Sequence, residues 1–375
     1  MTTNRKEQLS LPFVTETAKY EPNYQNTKKI DFCLDNIERE RYTSQYMLSP
    51  KYEGWLRRRA FIRSGHHSLH IEGNILTEEQ VADILENPNA NTGDSYHEED
   101  VRNWNRAMQF VDSMSTVPDV PLNTLLIRQI HALILGPDDR IHLPGDYRRG
   151  DAKVRHPISR KPVYTGPVSG DVPDLMHQFG TWLVSDATSI HPVVAAGIAH
   201  LRFVEIHPFV DGNGRTARAL TTLILQRGGY SFNKLLALER YFDVDLLKYC
   251  EAISATVGKR FEEGRDLTEW LEYFSSALSV EVTMASNAVI DLRRMMERWH
   301  SILSQKGYVE RHRDILAYAR INNSIRPRDV TKIAGVSAVT ASSDLKRLVG
   351  AGLLDVEGQS RARVFRPSEN FWETL

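Results

Sequence analysis

Cysteine is scarce in this chain. Cys33 and Cys250 are the two present, far apart and in no metal-ligand or redox spacing. That excludes a disulfide framework and points to a reducing compartment. Long apolar runs are missing too. None approaches the roughly 20 residues of a membrane span, and the opening MTTNRKEQLSLPF lacks the apolar centre of a signal peptide. The expectation is a cytoplasmic protein with no membrane partner. Neither sign of charge dominates: the formal net charge is -1, so the whole molecule is no polycation. Three familiar signatures are absent as well, namely GxxxxGK[ST], GxGxxG behind a strand, and HExxH. Their absence excludes a P-loop, a dinucleotide fingerprint and a helical zinc-protease site.

What is present is ordinary in bulk. The 375 residues suggest two or three domains, and 41% hydrophobic with 25% charged residues is normal for a globular protein. Residues 1 to about 30, rich in Thr, Asn and Lys, read as an extended arm. From Ile30 helical spacing begins, with Leu34 and Ile37 and later Trp55, Leu56, Phe61 and Ile62. Thr77-Glu78-Glu79-Gln80 reads as a capping-box start. Helices are expected near 97–113 and 122–135. Residues 136 to 173, rich in Gly and Pro, read as a loop holding a short hairpin, with Val163-Tyr164-Thr165 as one strand. Helices resume at 173–185, from Pro192 to Pro208, from Gly214 to Arg227, and over 243–257, 266–282 and 283–305.

The densest chemistry lies in HPFVDGNGRTAR, residues 207 to 218. Pro208 disfavours a helical His207, so this imidazole sits at a helix end or on a loop. Asp211-Gly212-Asn213-Gly214 is then a turn whose glycines let backbone N–H groups converge. Those groups and the next helix's N-terminus form an anion nest. Arg215 and Arg218 share a face of the first turn, where the helix dipole disfavours cations. A bound anion resolves that conflict, and their forks suit phosphate oxygens. Asp211 suits a divalent cation riding on a polyphosphate. His207 suits a general base, with an ordinary pKa near ~6.5. Zinc is the competing chemistry, with His191, His200, His207 and Asp211 as candidates; Pro208 spoils a helical His207/Asp211 pair.

The twelve residues resemble the Fic-family signature HPFx[D/E]GNGRxxR at every fixed position. The resemblance implies a mainly α fold with a small β-hairpin flap, and transfer of AMP from ATP to a Tyr, Thr or Ser hydroxyl of a target protein or of the enzyme itself. It implies His207 as the base and Asp211 as the holder of Mg²⁺ or Mn²⁺ on the phosphates. Gly212, Asn213, Gly214 and Arg215 would cradle the phosphates, and Arg218 would reach the γ-phosphate. GDYRRG at 145–150 and VYTGP at 163–167 resemble the family's flap, whose Val163, Tyr164 and Thr165 would pair with the target's backbone. LERYFDVDLLKYCEAI resembles the helix beside the adenine, with Tyr241 and Tyr249 as candidates there; each reads equally as core. Upstream, SLHIEGN at 68–74 resembles the inhibitory motif [S/T]xxxE[G/N]. Ser68 and Glu72 share one helix face, and Gly73 suits a helix stop. The resemblance implies that Glu72 pairs with Arg218 and blocks the γ-phosphate, so that Glu72 acts inside the ATP site as a brake.

Residues 308 to 366 carry eleven Lys and Arg against six Asp and Glu, a net charge of +5. SIRPRDVTKIAGVSAVTASSDLKRLVGAGLLDVEGQSRARVFRPS resembles a winged helix-turn-helix. Arg328–Ile333 gives its first helix, Gly335-Val336 the turn and Ser337 the cap of the second. Val336, Val339, Leu345, Leu348 and Val349 are expected inside. The charge suits DNA phosphates, while dimerisation or protein docking suits such a module equally. The expected organisation is an N-terminal arm and helical region over 1–115 with the inhibitory helix, a catalytic core over 116–258, connecting helices over 259–306, and a winged helix over 307–375. Three functions stay open: an autoinhibited adenylyltransferase, a Fic enzyme that removes AMP, and a DNA-binding regulator with a weakly active Fic core. A homodimer is left open as well.

Overall fold

Helices dominate the computed structural model, which describes residues 19–43, 48–87, 89–137, 144–155, 159, 161–303, 307–358, 363–369 and 371. Most of the expected N-terminal arm, residues 1–18, lies outside the described residues. Its visible end bridges Asn23 to Asp266 and buries Tyr20 against Trp182. In chain order follow α1 (Lys28–Thr43), α2 (Pro50–Ile71), α3 (Glu78–Glu86), α4 (Ser95–Ser115) and α5 (Thr124–Leu135). Next come β1 (Lys153–Arg155), β2 (Pro162–Thr165), α6 (Val172–Val184), α7 (Pro192–Ile206) and α8 (Asn213–Arg227). Then come α9 (Leu238–Val244), α10 (Leu246–Val257) and α11 (Thr268–Leu303). The chain closes with α12 (Glu310–Asn322), α13 (Pro327–Ala334), α14 (Ala338–Gly350), β3 (Leu354–Glu357) and β4 (Val364–Pro367).

Local chemistry explains the starts. Thr77 and Gln80 close the expected capping box of α3. Asp94, Asn123 and Ser337 each accept a backbone N–H from the first turn of their helices. Pro192 opens α7, with His191 as its cap.

Two helix expectations change. The segments 266–282 and 283–305 form the single helix α11, because neither Gly nor Pro interrupts residues 268–303. The expected helix over 243–257 starts earlier and breaks at Asp245, whose side chain caps α10 through the Lys248 N–H. A third change lies in the C-terminal part. Val339, expected inside, is 81% exposed, and Ala341 takes the buried place on α14 beside Leu345 and Leu348.

Among the described residues, three apolar clusters hold the fold. The largest packs α7 and α8 against α6, α10 and the first half of α11, with Phe203, Phe209, Leu220, Trp270 and Phe274 buried at its centre. A second joins α3, α4 and α5 to α8. The third joins α12–α14 and the antiparallel β3–β4 hairpin to the far half of α11, through Leu292, Met295 and Trp299. So α11 contributes to two of the clusters. The helix α2 is shared as well: Tyr52 and Leu56 enter the C-terminal cluster, and Leu69 enters the α3–α5 cluster. It lies against α4 at Gly65, where an added Cβ would sit 2.7 Å from the Trp104 ring. Gly65→Ala is therefore expected to cost about 1–3 kcal/mol through overpacking, read as a lowered Tm.

Candidate active site

The turn between α7 and α8 builds the site. His207 caps α7 in the left-handed region, at φ 50° and ψ 59°, and Pro208 prevents another helical turn. Asn213 then ties the loop closed. Its Oδ1 accepts from the Phe209 N–H at 3.0 Å, and its Nδ2 donates to the Phe209 carbonyl at 2.9 Å. Gly212 supplies the left-handed residue, φ 73°, that starts α8 without a side-chain cap. The first N–H groups of α8 therefore face outward as an anion nest.

Hydrogen bonding sets the protons. His207 Nδ1 lies 3.2 Å from the Val204 carbonyl. A carbonyl only accepts, so Nδ1 carries the proton and Nε2 is the free base. Burial pushes the His207 pKa below its ordinary value. Arg148 holds the same corner. Its guanidinium donates to the carbonyls of His207, Gly150 and Pro167 at 2.8, 2.7 and 2.6 Å.

The arginines have carboxylate partners. Arg215 is 6% exposed and meets Asp211 at 3.0 Å and Asp100 at 3.1 Å. Arg218 is 3% exposed; it donates to Ser68 Oγ at 3.0 Å, to the Ser68 carbonyl at 2.8 Å and to Glu72 Oε1 at 2.7 Å. Glu72 ends α2, and Gly73 follows at φ 95°. The Glu72 carboxylate also covers Gly214, where a Cβ would stand 2.3 Å from Oε1. It thus sits on the first turn of α8, over the nest.

The expected flap forms an antiparallel pair with Val154 opposite Tyr164 and Lys153 opposite Thr165. Tyr164 turns inward and donates to the Glu205 carbonyl at 2.8 Å, while Val163 and Thr165 point outward. A cavity of about 810 Å³ runs between β1 and His207, bordered by Tyr147, Phe209 and Val210.

Of the two adenine candidates, Tyr249 is core. It is 4% exposed, stacks on Phe242, and its hydroxyl lies 2.8 Å from His200 Nε2. That hydroxyl also faces Arg218. Tyr241 packs on Tyr273 instead and is not drawn to the motif. The zinc candidates are dispersed: His200 bonds Thr221 and Tyr249, and His191 bonds Tyr230. Among the described residues, no three His, Cys, Asp or Glu side chains gather to hold a metal. Asp211 is a 45% exposed carboxylate with one oxygen on Arg215 and no group of three metal-ligating side chains around it among the described residues, a donor set that fits Mg²⁺ shared with phosphates rather than zinc.

Two site residues escaped the sequence reading. Asp100, on α4, completes the Arg215 pair from far away in sequence. His131, on α5, stacks on Phe209 with centroids 3.6 Å apart. It accepts the Gly145 N–H at Nδ1, so Nε2–H donates to the Asp211 carbonyl at 3.0 Å. Burial drives its pKa down to about 4. Its neutral form stabilises the fold, and that stabilisation is complete above about pH 6.5, the unfolded value. It is lost as the pH falls toward 4. Roughly 2 kcal/mol is expected to be lost by pH 5. Urea titrations at pH 7 and pH 5 check this, and His131→Gln should narrow the difference by about that amount, buried His200 keeping the rest.

Residues 121–225, spanning α5 to α8, match the Fic/DOC family. This stretch is a Fic domain. The chain is 37% identical over 216 residues to "Protein adenylyltransferase Fic" of Drosophila melanogaster, covering 56% of this chain and 42% of the relative. The Drosophila willistoni protein of the same name is 36% identical over 176 residues, covering 46% and 34%. The chain thus spans less than half the length of these curated relatives. Among solved structures, a Fic family protein from Desulfovibrio desulfuricans G20 superposes with TM-score 0.61 at 24% identity, over 93% of this chain and 99% of that one. Fic-1 of C. elegans gives TM-score 0.57 at 23% identity, over 70% and 73%. These two share the fold. The Fic domain contains His207, the nest, both arginines and the flap; Ser68 and Glu72 reach it from α2, outside the matched residues.

Proposed function

We propose that this chain transfers AMP from ATP to a hydroxyl of a target protein, including its own chain, and that Glu72 restrains the reaction. The observation that carries this reading is the free-base Nε2 of His207, set at the edge of the cavity it shares with the flap and beside the Arg215/Arg218 nest. ATP phosphates suit the nest, where α8 N–H groups and two guanidiniums meet negative charge. The target's hydroxyl oxygen attacks the α-phosphorus while its proton passes to His207 Nε2. The bond from the α-phosphorus to the bridging oxygen breaks, and pyrophosphate leaves. A tyrosine hydroxyl, with a pKa near ~10, needs such a base at neutral pH. Asp211 would hold Mg²⁺, which supplies charge neutralisation on the phosphates.

The adenine side falls to α9 and α10, with Tyr249 behind them as core support rather than as a wall of the site. Outward Val163 and Thr165 leave the flap edge open for a target backbone. We read residues 307–375 as the winged helix, since α13, a turn at Gly335, α14 and the β3–β4 hairpin follow in that order. A cavity there is lined by Lys346 and Arg363 together with Arg326 and Arg328, which share the single carboxylate of Glu79; the net positive lining favours an anionic partner such as DNA. Two free cysteines favour the cytoplasm.

The test is a pair of labels. With α-labelled ATP, label is expected on protein; with γ-labelled ATP, none. Label from the γ-position would mean phosphoryl transfer, and label from neither would remove the reading.

A further inference from the structure

A second cavity lies behind the nest, on the other side of Arg218. It holds about 360 Å³ between α2, α4, α8 and α9. That volume suits a small ligand. Its walls are apolar: Phe61, Met108, Leu225, Leu236, Leu238 and Phe242.

The polar groups limit what fits. Four cations border the cavity, and each already has a carboxylate: Arg57 with Glu53, Arg58 with Glu86, Arg218 with Glu72, Lys234 with Asp112. An anionic ligand therefore meets no free counter-charge, and a cationic one finds the Asp112 carboxylate already spent on Lys234 and Gln226. The hydroxyls of Thr221 and Thr222 spend their hydrogens on carbonyls of their own helix. Acceptor capacity remains. Gln226 Oε1 is buried with no hydrogen-bond partner among the described residues. Glu239, 5% exposed, receives a single side-chain hydrogen bond among the described residues, from Ser64 Oγ at 2.9 Å. Buried acceptors left unmet cost free energy.

We infer that this cavity binds a neutral, mostly apolar small molecule carrying an N–H donor, of about the size of one fused ring pair. The position gives such a ligand a consequence. Ser64 and Phe61 belong to α2, and Arg218 is the residue that α2 holds through Ser68 and Glu72. The cavity exists with α2 seated. A ligand that fits it bridges α2 to α8 and α9 and favours the seated state. It therefore strengthens the Glu72 brake, a part of the inference that rests on the AMP-transfer reading.

Indole and indene, which differ chiefly by the N–H, are the probes. Calorimetric titration of the full chain without nucleotide should show indole binding roughly fivefold or more tighter than indene. Gln226→Leu should reduce that preference, and Gln226→Leu with Glu239→Leu should erase it; a preference that survives the double variant would overturn the acceptor assignment. Leu225→Trp, and independently Met108→Trp from α4, should fill the cavity and abolish binding. No indole binding to the wild-type chain, equal binding of both probes, or binding that survives both tryptophans would overturn the site. Indole should also slow label incorporation by the wild-type chain and spare Glu72→Gly; equal slowing of both would overturn the link to the brake. If no label is incorporated at all, the AMP-transfer reading fails, and the titration still decides the site.

Discussion

His207→Ala is expected to lower AMP transfer by about 10²–10⁴-fold, the usual contribution of a positioned general base. The geometry makes this base specific. Val204 fixes the Nδ1 proton, which leaves Nε2 to take the target's proton. Neither His131 nor His200, the two buried imidazoles on α5 and α7, has that freedom. His131 spends both nitrogens on Gly145 and Asp211, and His200 spends both on Thr221 and Tyr249. ATP binding should survive, since His207 lies outside the nest. Alanine at φ 50° carries backbone strain, so His207→Asn is the matched control; asparagine tolerates the left-handed region. Both variants should incorporate almost no α-label while keeping a thermal shift with ATP. A His207→Asn protein that labels at the wild-type rate would sink the base assignment. The pH profile gives a second check. Transfer needs the neutral imidazole, so the rate should fall on the acid side. Burial lowers the pKa, which moves that fall below the ordinary histidine value.

The motif was legible because its chemistry is local. Asn213 reaches four residues back to Phe209, and Gly212 makes its own turn, so HPFVDGNGRTAR carries most of its geometry in twelve residues. The Ser68/Glu72 face was legible through helical spacing, though its partner 146 residues away came from the resemblance. Asp100 and His131 were not legible. Each is one polar residue on an amphipathic helix, and only the packing of α4 and α5 on α8 brings it to the turn. Val339 failed for a related reason. Its spacing on α14 fits a buried stripe, but Ala341 packs closer and leaves the valine outside. The length of α11 was open to inspection, since no breaker divides it; its contribution to two clusters was not, because tertiary contact alone assigns its two halves to them.

Glu72→Gly is expected to raise AMP transfer by about tenfold or more. The carboxylate does two things that substrate phosphates must undo. It takes Arg218 Nη2 at 2.7 Å, and it covers Gly214 at the start of α8. A charge-assisted hydrogen bond of this kind is worth roughly 1.5–3 kcal/mol, which converts to about 10–150-fold in the population of a nest open to the γ-phosphate. Arg218 would stay aimed, because Ser68 holds it through Oγ and the carbonyl. Its buried charge would lose a partner, however. The variant should melt lower than wild type without nucleotide, and ATP should raise its Tm more than that of wild type, since phosphate then replaces the carboxylate. Glu72→Gln separates charge from shape: it keeps the volume over Gly214 and should fall between the two. Release of AMP from already labelled protein distinguishes the brake from a catalyst of removal. A brake leaves pre-formed label stable in wild type and variant alike. Label that disappears from wild type but persists in Glu72→Gly would assign Glu72 to the reverse chemistry instead.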